Sequence, residues 1–252
     1  MSIKQTIKYI IGFIYYNVYR RYQTSVGNRI VLYHSIGSKL DHDTYGIAIT
    51  KEKFTEHILY LKNHYEIIPI DENYQDNLDR KTLSITFDDG YKDNIYALEI
   101  CEKYNIPFTL YITTGFIGQE NYLTAEDIKR FAKSQFCILG THSVTHPHLD
   151  TLSYDEQYKE LEESKKVLED IVEYKITHFS YPHGSYDKHT LIILDKLGYN
   201  AVGSSHIGLN TKDNIDIKKI KRIEIIASDS INSLREKIDG YYDYLMIKEN
   251  TI

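Results

Sequence analysis

The stretch Ser84–Asn94, SITFDDGYKDN, decides how this chain is read. Ser-Ile-Thr-Phe has the content of a buried strand. It stops at two adjacent carboxylates, Asp88 and Asp89, followed by Gly90. Asp and Asp-Gly are turn formers, so a plain turn accounts for the composition. It does not account for two like charges side by side where an apolar run ends. The alternative is that the pair does chemistry, and the surrounding sequence has to decide.

Outward from that strand, the elements alternate. Upstream, NRIVLYHSI reads as a strand, TKEKFTEHILYLKNHY as a helix with Phe54, Ile58 and Leu61 on one face, and YEIIPI as a short strand. Downstream, KDNIYALEICEKYN is helical, IPFTLYIT is a strand, and TAEDIKRFAKS is a helix opened by the capping pair Thr124 and Asp127. FCILGTH is a strand, SYDEQYKELEESKKVLEDIVE a long helix with Ser153 as its N-cap, and ITHFSYPHG a strand. DKHTLIILDKLG is a helix closed by Gly198, YNAVGSS and IKKIKRIEII are two more strands, and SINSLREKID is a final helix. This alternation argues for parallel βαβ units in an α/β fold. Seven or eight strands suit a distorted (β/α) barrel, in which chemistry sits at the C-terminal strand ends.

That rule picks out a few residues. His34 follows IVLY, Asp88 and Asp89 follow SITF, His142 follows FCILGT with His146 four residues on, and Pro182, His183 and Gly184 follow HFSY. On a helical turn, the two imidazoles of HSVTH share a face and can grip one metal ion. His148, beyond Pro147, is a competing ligand. A carboxylate from the DDG pair completes a His-His-Asp donor set suited to Zn²⁺ or a similar divalent ion. One Asp then binds the metal while its neighbour, pointing elsewhere, serves as general base. The cation relieves the repulsion between the two carboxylates. Gly90 lets the backbone turn sharply.

TFDDG, HSVTH and YPHG, in this order and spacing, resemble the first three motifs of the polysaccharide deacetylase superfamily, the NodB-homology fold of carbohydrate esterase family four. The resemblance runs from about His34 to Arg222. It implies a distorted barrel with metal-dependent N-deacetylase activity on N-acetylated sugars. It makes Asp88 the base and Asp89, His142 and His146 the ligands of Zn²⁺, with Co²⁺ or Ni²⁺ as alternatives. The opening VLYHSI is similar to the circularly permuted subgroup of poly-N-acetylglucosamine deacetylases, whose "YH" strand replaces a C-terminal Leu-x-His motif. No such motif follows His206, so His34 corresponds to the catalytic acid.

Two departures stand out. The Arg that many relatives carry in the third motif is replaced here by Ser180 and Tyr181, which makes Arg222 the candidate cation for keeping Asp88 ionised. His183 stands where relatives often have Tyr, so its backbone N–H is the candidate oxyanion donor, with Tyr181 and Pro182 walling the groove. The implied substrate is an N-acetylated glycan: a surface polymer, peptidoglycan, or a lipid- or nucleotide-linked precursor. The rival readings are hydrolysis of a non-sugar amide and a non-catalytic carbohydrate-binding relative. The intact DDG and paired histidines count against the second.

Composition sets the outer bounds. A formal charge of −6, from 30 Lys+Arg against 36 Asp+Glu, offers no basic footprint for nucleic acid. The 24 tyrosines fit either a sugar-stacking surface or plain compositional bias. Cys101 and Cys137 sit in apolar contexts and read as buried free thiols with no disulfide framework. The apolar run Ile7–Tyr19, broken by Lys8 and Asn17 and closed by Arg20 and Arg21, is shorter than the roughly 20 residues of a membrane span and lacks a signal-cleavage site. The chain therefore divides into an N-terminal helix within 1–24 and a catalytic domain over 25–252. Residues 3–22 either lie on a membrane surface or pack on the domain. The expected location is cytoplasmic or membrane-associated, with an extracellular one as the alternative.

Overall fold

The computed structural model describes residues 3–245 apart from 39, 42 and 45, with side chains from residue 6 onward. The chain runs α1 (Ile3–Val18), β1 (Gly27–Tyr33), β2 (Ser35–Ile36), β3 (Ala48–Ile49), α2 (Lys51–His64), β4 (Glu66–Ile67), β5 (Lys81–Phe87), α3 (Asn94–Tyr104) and β6 (Phe108–Ile112). It continues through α4 (Ala125–Ala132), β7 (Cys137–Thr141), α5 (Tyr154–Val172), β8 (His178–Ser180), α6 (Lys188–Lys196), β9 (Ala201–Gly203), β10 (Ile223–Glu224) and α7 (Ile231–Asp239). Eight strands form one curled sheet in the order β10-β1-β5-β6-β7-β8-β9, with β4 added beside β5, and every pairing is parallel. Its two ends meet through a parallel bridge from Gly203 to Ile220, on the segment leading into β10. This is the expected distorted barrel.

β5 is buried along nearly its whole length, but its two faces differ. Leu83, Ile85 and Phe87 join the main hydrophobic core. The alternate residues are polar: Asn28 Nδ2 donates to Thr82 Oγ1 (3.0 Å) and Ser84 Oγ (3.1 Å), and Thr86 Oγ1 donates to the Val31 carbonyl (3.3 Å). The period-2 geometry of a strand puts Asp88 in the same file as Thr82, Ser84 and Thr86. SITF is therefore an alternating strand rather than an apolar one, and Asp88 continues its polar file.

The helix starts follow local chemistry. Thr124 with Asp127 and Ser153 with Glu156 form reciprocal capping boxes, as read from the sequence. Gly198, at φ 73, follows the end of α6 as expected. Several strands are shorter than their apolar runs: β4 keeps two residues of YEIIPI, β8 three of ITHFSYPHG, and β10 two of IKKIKRIEII. β8 matches the three residues of its partner β9, and β4 stops just before Pro69, which has no N–H to give to a ladder, although β5 continues beside it. Both cysteines are free, Cys101 buried and Cys137 partly so, and burial pushes both thiols up, away from reactivity.

Candidate active site

Register brings the site together. Tyr33 pairs with Phe87, so His34 and Asp88 follow as neighbours at two adjacent strand ends. Ile112 pairs with Thr141 and Thr141 with Phe179, so His142 and Ser180 occupy the corresponding positions on β7 and β8. His34, Asp88, Asp89, His142, His146, Tyr181, His183 and Arg222 all line one cavity of about 740 Å³, within the size range of small-molecule sites. Pro182 is buried and is not among the lining residues.

HSVTH is not a helical turn. The segment after β7 is a loop in which Ser143 (φ 63) and His146 (φ 59) adopt left-handed backbone, which breaks helical continuation. Glu160, from α5, fastens it: Oε2 accepts from the Val144 and Thr145 N–H groups (2.9 Å each) and Oε1 from Thr145 Oγ1 (2.8 Å). The two imidazoles still converge, with Nε2 atoms 3.1 Å apart. Asp89 is also left-handed (φ 74), which turns its carboxylate out of the strand's alternation and toward them. Its Oδ1 lies 3.3 Å from His146 Nε2 and 3.6 Å from His142 Nε2. With His183 (φ 56), four of the seven non-glycine positive-φ residues among the described residues lie here, where strained backbone commonly serves function.

The donor chemistry fits a cation. His142 Nδ1 sits 2.8 Å from the Ser180 carbonyl, which only accepts, so Nδ1 carries the hydrogen and Nε2 presents a lone pair. Burial pushes the His142 pKa down to about 4, against the opposing pull of Asp88, so the ring is neutral at pH 7. The Asp89 oxygen and the Nε2 atoms of His142 and His146 thus face one another with separations of 3.1, 3.3 and 3.6 Å. Tetrahedral bonds of about 2.0–2.2 Å give ligand–ligand edges of about 3.3–3.6 Å, so the triangle suits an ion such as Zn²⁺. His148 is not part of it; its ring stacks on His183 at 4.1 Å.

Asp88 stands beside that triangle, its Oδ2 3.8 Å from His142 Nε2. Arg222 grips it with two bonds, NH1 to Oδ1 at 2.7 Å and NH2 to Oδ2 at 2.9 Å. Ser180 Oγ donates to Asp88 Oδ2 (3.0 Å) and accepts from Arg222 NH2 (2.7 Å), so the serine in the third motif joins the pair instead of replacing it. Burial by itself would push the Asp88 carboxyl up, but the Arg222 guanidinium, aided by His142 and His34, holds it well below the usual carboxylate range. Arg222 in turn needs Gly203, where an added Cβ would fall 2.9 Å from its Cζ. Asn94 Nδ2 donates to the His34 carbonyl (2.7 Å), and His34 Nδ1 lies 3.7 Å from Glu224 Oε1.

Sequence reasoning missed the loop staple Glu160, the glycine that admits Arg222, Glu224 beside His34, and an aromatic wall. Tyr91 and Tyr122 stack at 5.1 Å, and Phe116 packs on Tyr122 at 4.8 Å; all three line the cavity. Tyr91 directly follows DDG and was legible as a neighbour. Tyr122 and Phe116 arrive from a distant loop. Tyr181, buried with its hydroxyl donating to the Lys218 carbonyl (2.8 Å), is fixed behind this wall.

Comparison with known proteins fits this geometry. The family model described as polysaccharide deacetylase matches residues 75–202, just over half of the chain. The chain belongs to the polysaccharide deacetylase family. The match includes Asp88, Asp89, His142, His146 and Tyr181–His183 but neither His34 nor Arg222. The chain is 30% identical over 191 residues to "Putative polysaccharide deacetylase YxkH" of Bacillus subtilis (strain 168), which covers 73% of this chain and 66% of that one. It is 26% identical over 219 residues to a poly-beta-1,6-N-acetyl-D-glucosamine N-deacetylase of Staphylococcus aureus, covering 78% and 73%. The solved Streptococcus pyogenes deacetylase PplD, in complex with acetate, aligns at TM-score 0.75 and 26% identity over 85% of this chain and 99% of that one. Two other curated relatives are spanned over only about half their length, 46% and 49%.

Proposed function

We propose that this chain hydrolyses the acetamide of an N-acetylated sugar in a glycan, releasing acetate and a free amine, with Asp89, His142 and His146 holding a divalent cation, Zn²⁺ foremost and Co²⁺ or Ni²⁺ next. The observation that carries the reading is the pair of adjacent carboxylates with separate environments. Asp89 faces two imidazole nitrogens, while Asp88 is kept ionised by Arg222 and stands next to the same centre. A cation in the triangle supplies Lewis acidity at the carbonyl and lowers the pKa of water there.

Every other role belongs to the chain. Asp88 takes the proton of the attacking water, and Arg222 and Ser180 fix the direction in which it accepts. The His183 N–H donates to the oxygen that gains negative charge. His34 gives a proton to the departing nitrogen as the C–N bond breaks. Half-buried Tyr122 and Phe116 offer flat apolar faces to a sugar ring, with buried Tyr91 stacked behind Tyr122. The Staphylococcus aureus relative, named for a poly-N-acetylglucosamine substrate, supports that polymer or its precursor as the first glycan to assay.

The test is acetate release from β-1,6-linked N-acetylglucosamine oligomers, chitin oligomers and peptidoglycan by protein loaded with zinc, cobalt or nickel. Asp88→Asn is expected to keep its metal and lose about 10²–10⁴-fold in turnover, while His142→Ala loses both metal and turnover. Equal metal loss in the two variants contradicts the division of roles. Activity confined to non-sugar amides moves the substrate class.

A further inference from the structure

The largest exposed apolar surface lies away from the cavity. Of the thirteen large hydrophobic side chains exposed among the described residues, ten fall between Ile7 and Val26. Within α1, Ile7, Ile10, Ile14 and Val18 recur at helical spacing, with Ile11 beside them, and they are 51, 50, 56 and 72% exposed. An amphipathic helix on a globular domain normally turns that stripe inward. Here the other side is docked. Gly12 lies so close to the domain that a Cβ would fall 2.7 Å from the Tyr241 carbonyl oxygen, Tyr16 stacks on Tyr241 at 4.2 Å, and Tyr244 Oη donates to the Lys8 carbonyl (3.2 Å). Just beyond α1, Arg20 is buried and paired with Asp243 (2.9 Å). Gly12 and Tyr16 lie on the face opposite Ile7, Ile14 and Val18, so these contacts hold the apolar stripe outward.

Charge selects the occupant. The first 40 residues carry no Asp or Glu; of their Lys and Arg, Arg20 and Arg29 are buried against Asp243, and Lys8 and Arg21 are the exposed cations among the described residues. Lys8 and Arg21 are exposed beside the stripe, and Tyr19 and Tyr22 extend it. A second copy would bring like charges together across this face; an anionic lipid surface brings opposite ones. No helix among the described residues is long and apolar enough to cross a membrane, and α1 spans only about 24 Å. We propose that α1 lies in the surface of a bilayer containing anionic phospholipid, its Ile7–Ile10–Ile14–Val18 face in the acyl boundary, and ties the domain to that surface.

The test is flotation of the full chain with phosphatidylcholine vesicles, with and without phosphatidylglycerol. The parent protein is expected to float with the mixed vesicles. Ile10→Asp with Ile14→Asp is expected to weaken partitioning by about tenfold or more. These positions are exposed, so thermal stability and acetate release from a soluble oligomer should not change. Lys8→Glu with Arg21→Glu should weaken binding only where phosphatidylglycerol is present. A parent protein that stays in the soluble fraction, an isoleucine variant that floats as well as the parent, or a dimer abolished by that variant without vesicle binding would each overturn the proposal. Flotation does not depend on turnover, so the two proposals fail separately.

Discussion

Two buried arginine–aspartate clusters, one toward each end of the sheet, are nearly alike in their bonding and differ in what each carboxylate faces. At the strand ends, Arg222 NH1 and NH2 meet the two oxygens of Asp88 at 2.7 and 2.9 Å. Near the strand starts, Arg29 NH1 and NH2 meet the two oxygens of Asp243 at 2.8 and 3.0 Å. The difference lies in the surroundings of each carboxylate. Asp243 is closed off by a second cation, Arg20 Nε at 2.9 Å, which completes a joint between α1, β1 and the end of the described chain. Asp88 has one cation and then the cavity, with His142 Nε2 3.8 Å away. An ion pair alone does not mark a catalytic group; the function proposed above rests on an ionised oxygen left facing a cavity.

The sharpest way to break this comparison is Arg222→Gln. It strands a buried carboxylate, so unfolding free energy should fall by about 3–5 kcal/mol. Turnover should fall with it, because Asp88 then rises toward protonation; urea denaturation and acetate release measure the two effects. Full activity in that variant would make the upper cluster as purely structural as the lower. Asp243→Asn should also destabilise, by about 2–4 kcal/mol since water reaches this end more readily, while kcat of the folded protein holds. A drop in kcat there would join the two ends functionally.

Smaller effects sharpen the same contrast. Glu160→Gln loosens the loop carrying His142 and His146, so metal affinity should fall by about tenfold, with kcat at saturating metal retained, as read by competition with a chelator. A group outside either cluster supplies the control. Burial pushes His178 below its ordinary 6.5, while the Ile70 carbonyl, 2.5 Å from its Nε2, pulls the other way. The unfolded chain therefore binds a proton more readily, and stability should decline as pH falls through about 6.5. His178→Gln should flatten part of that slope in thermal melts and leave the Arg222–Asp88 contribution in place. That pair stays ionised down to far lower pH.

What was legible in the sequence was local. Capping boxes at Thr124 and Ser153 use partners three residues away, and the DDG and HSVTH motifs carry their own donor atoms. Strand extents were harder to read because β8 is only as long as its partner β9, which apolar composition does not encode. HSVTH suggested a helical face, yet two left-handed residues and the Glu160 carboxylate decided the loop. Arg222 was named as the candidate cation for Asp88, with nothing local in the sequence to fix the pairing. Its meeting with Asp88 spans 134 positions and depends on a glycine at 203 that makes room for a guanidinium.

The triangle of Asp89, His142 and His146 also crosses the sheet. Asp89 leaves β5 and the histidines leave β7, with β6 lying between them. An ion shared by these side chains would tie the tips of β5 and β7 together across β6, so that neither could peel back alone. Loading would then act as a thermal latch as well as a chemical one, worth about 2.7 kcal/mol at a hundredfold excess over the dissociation constant.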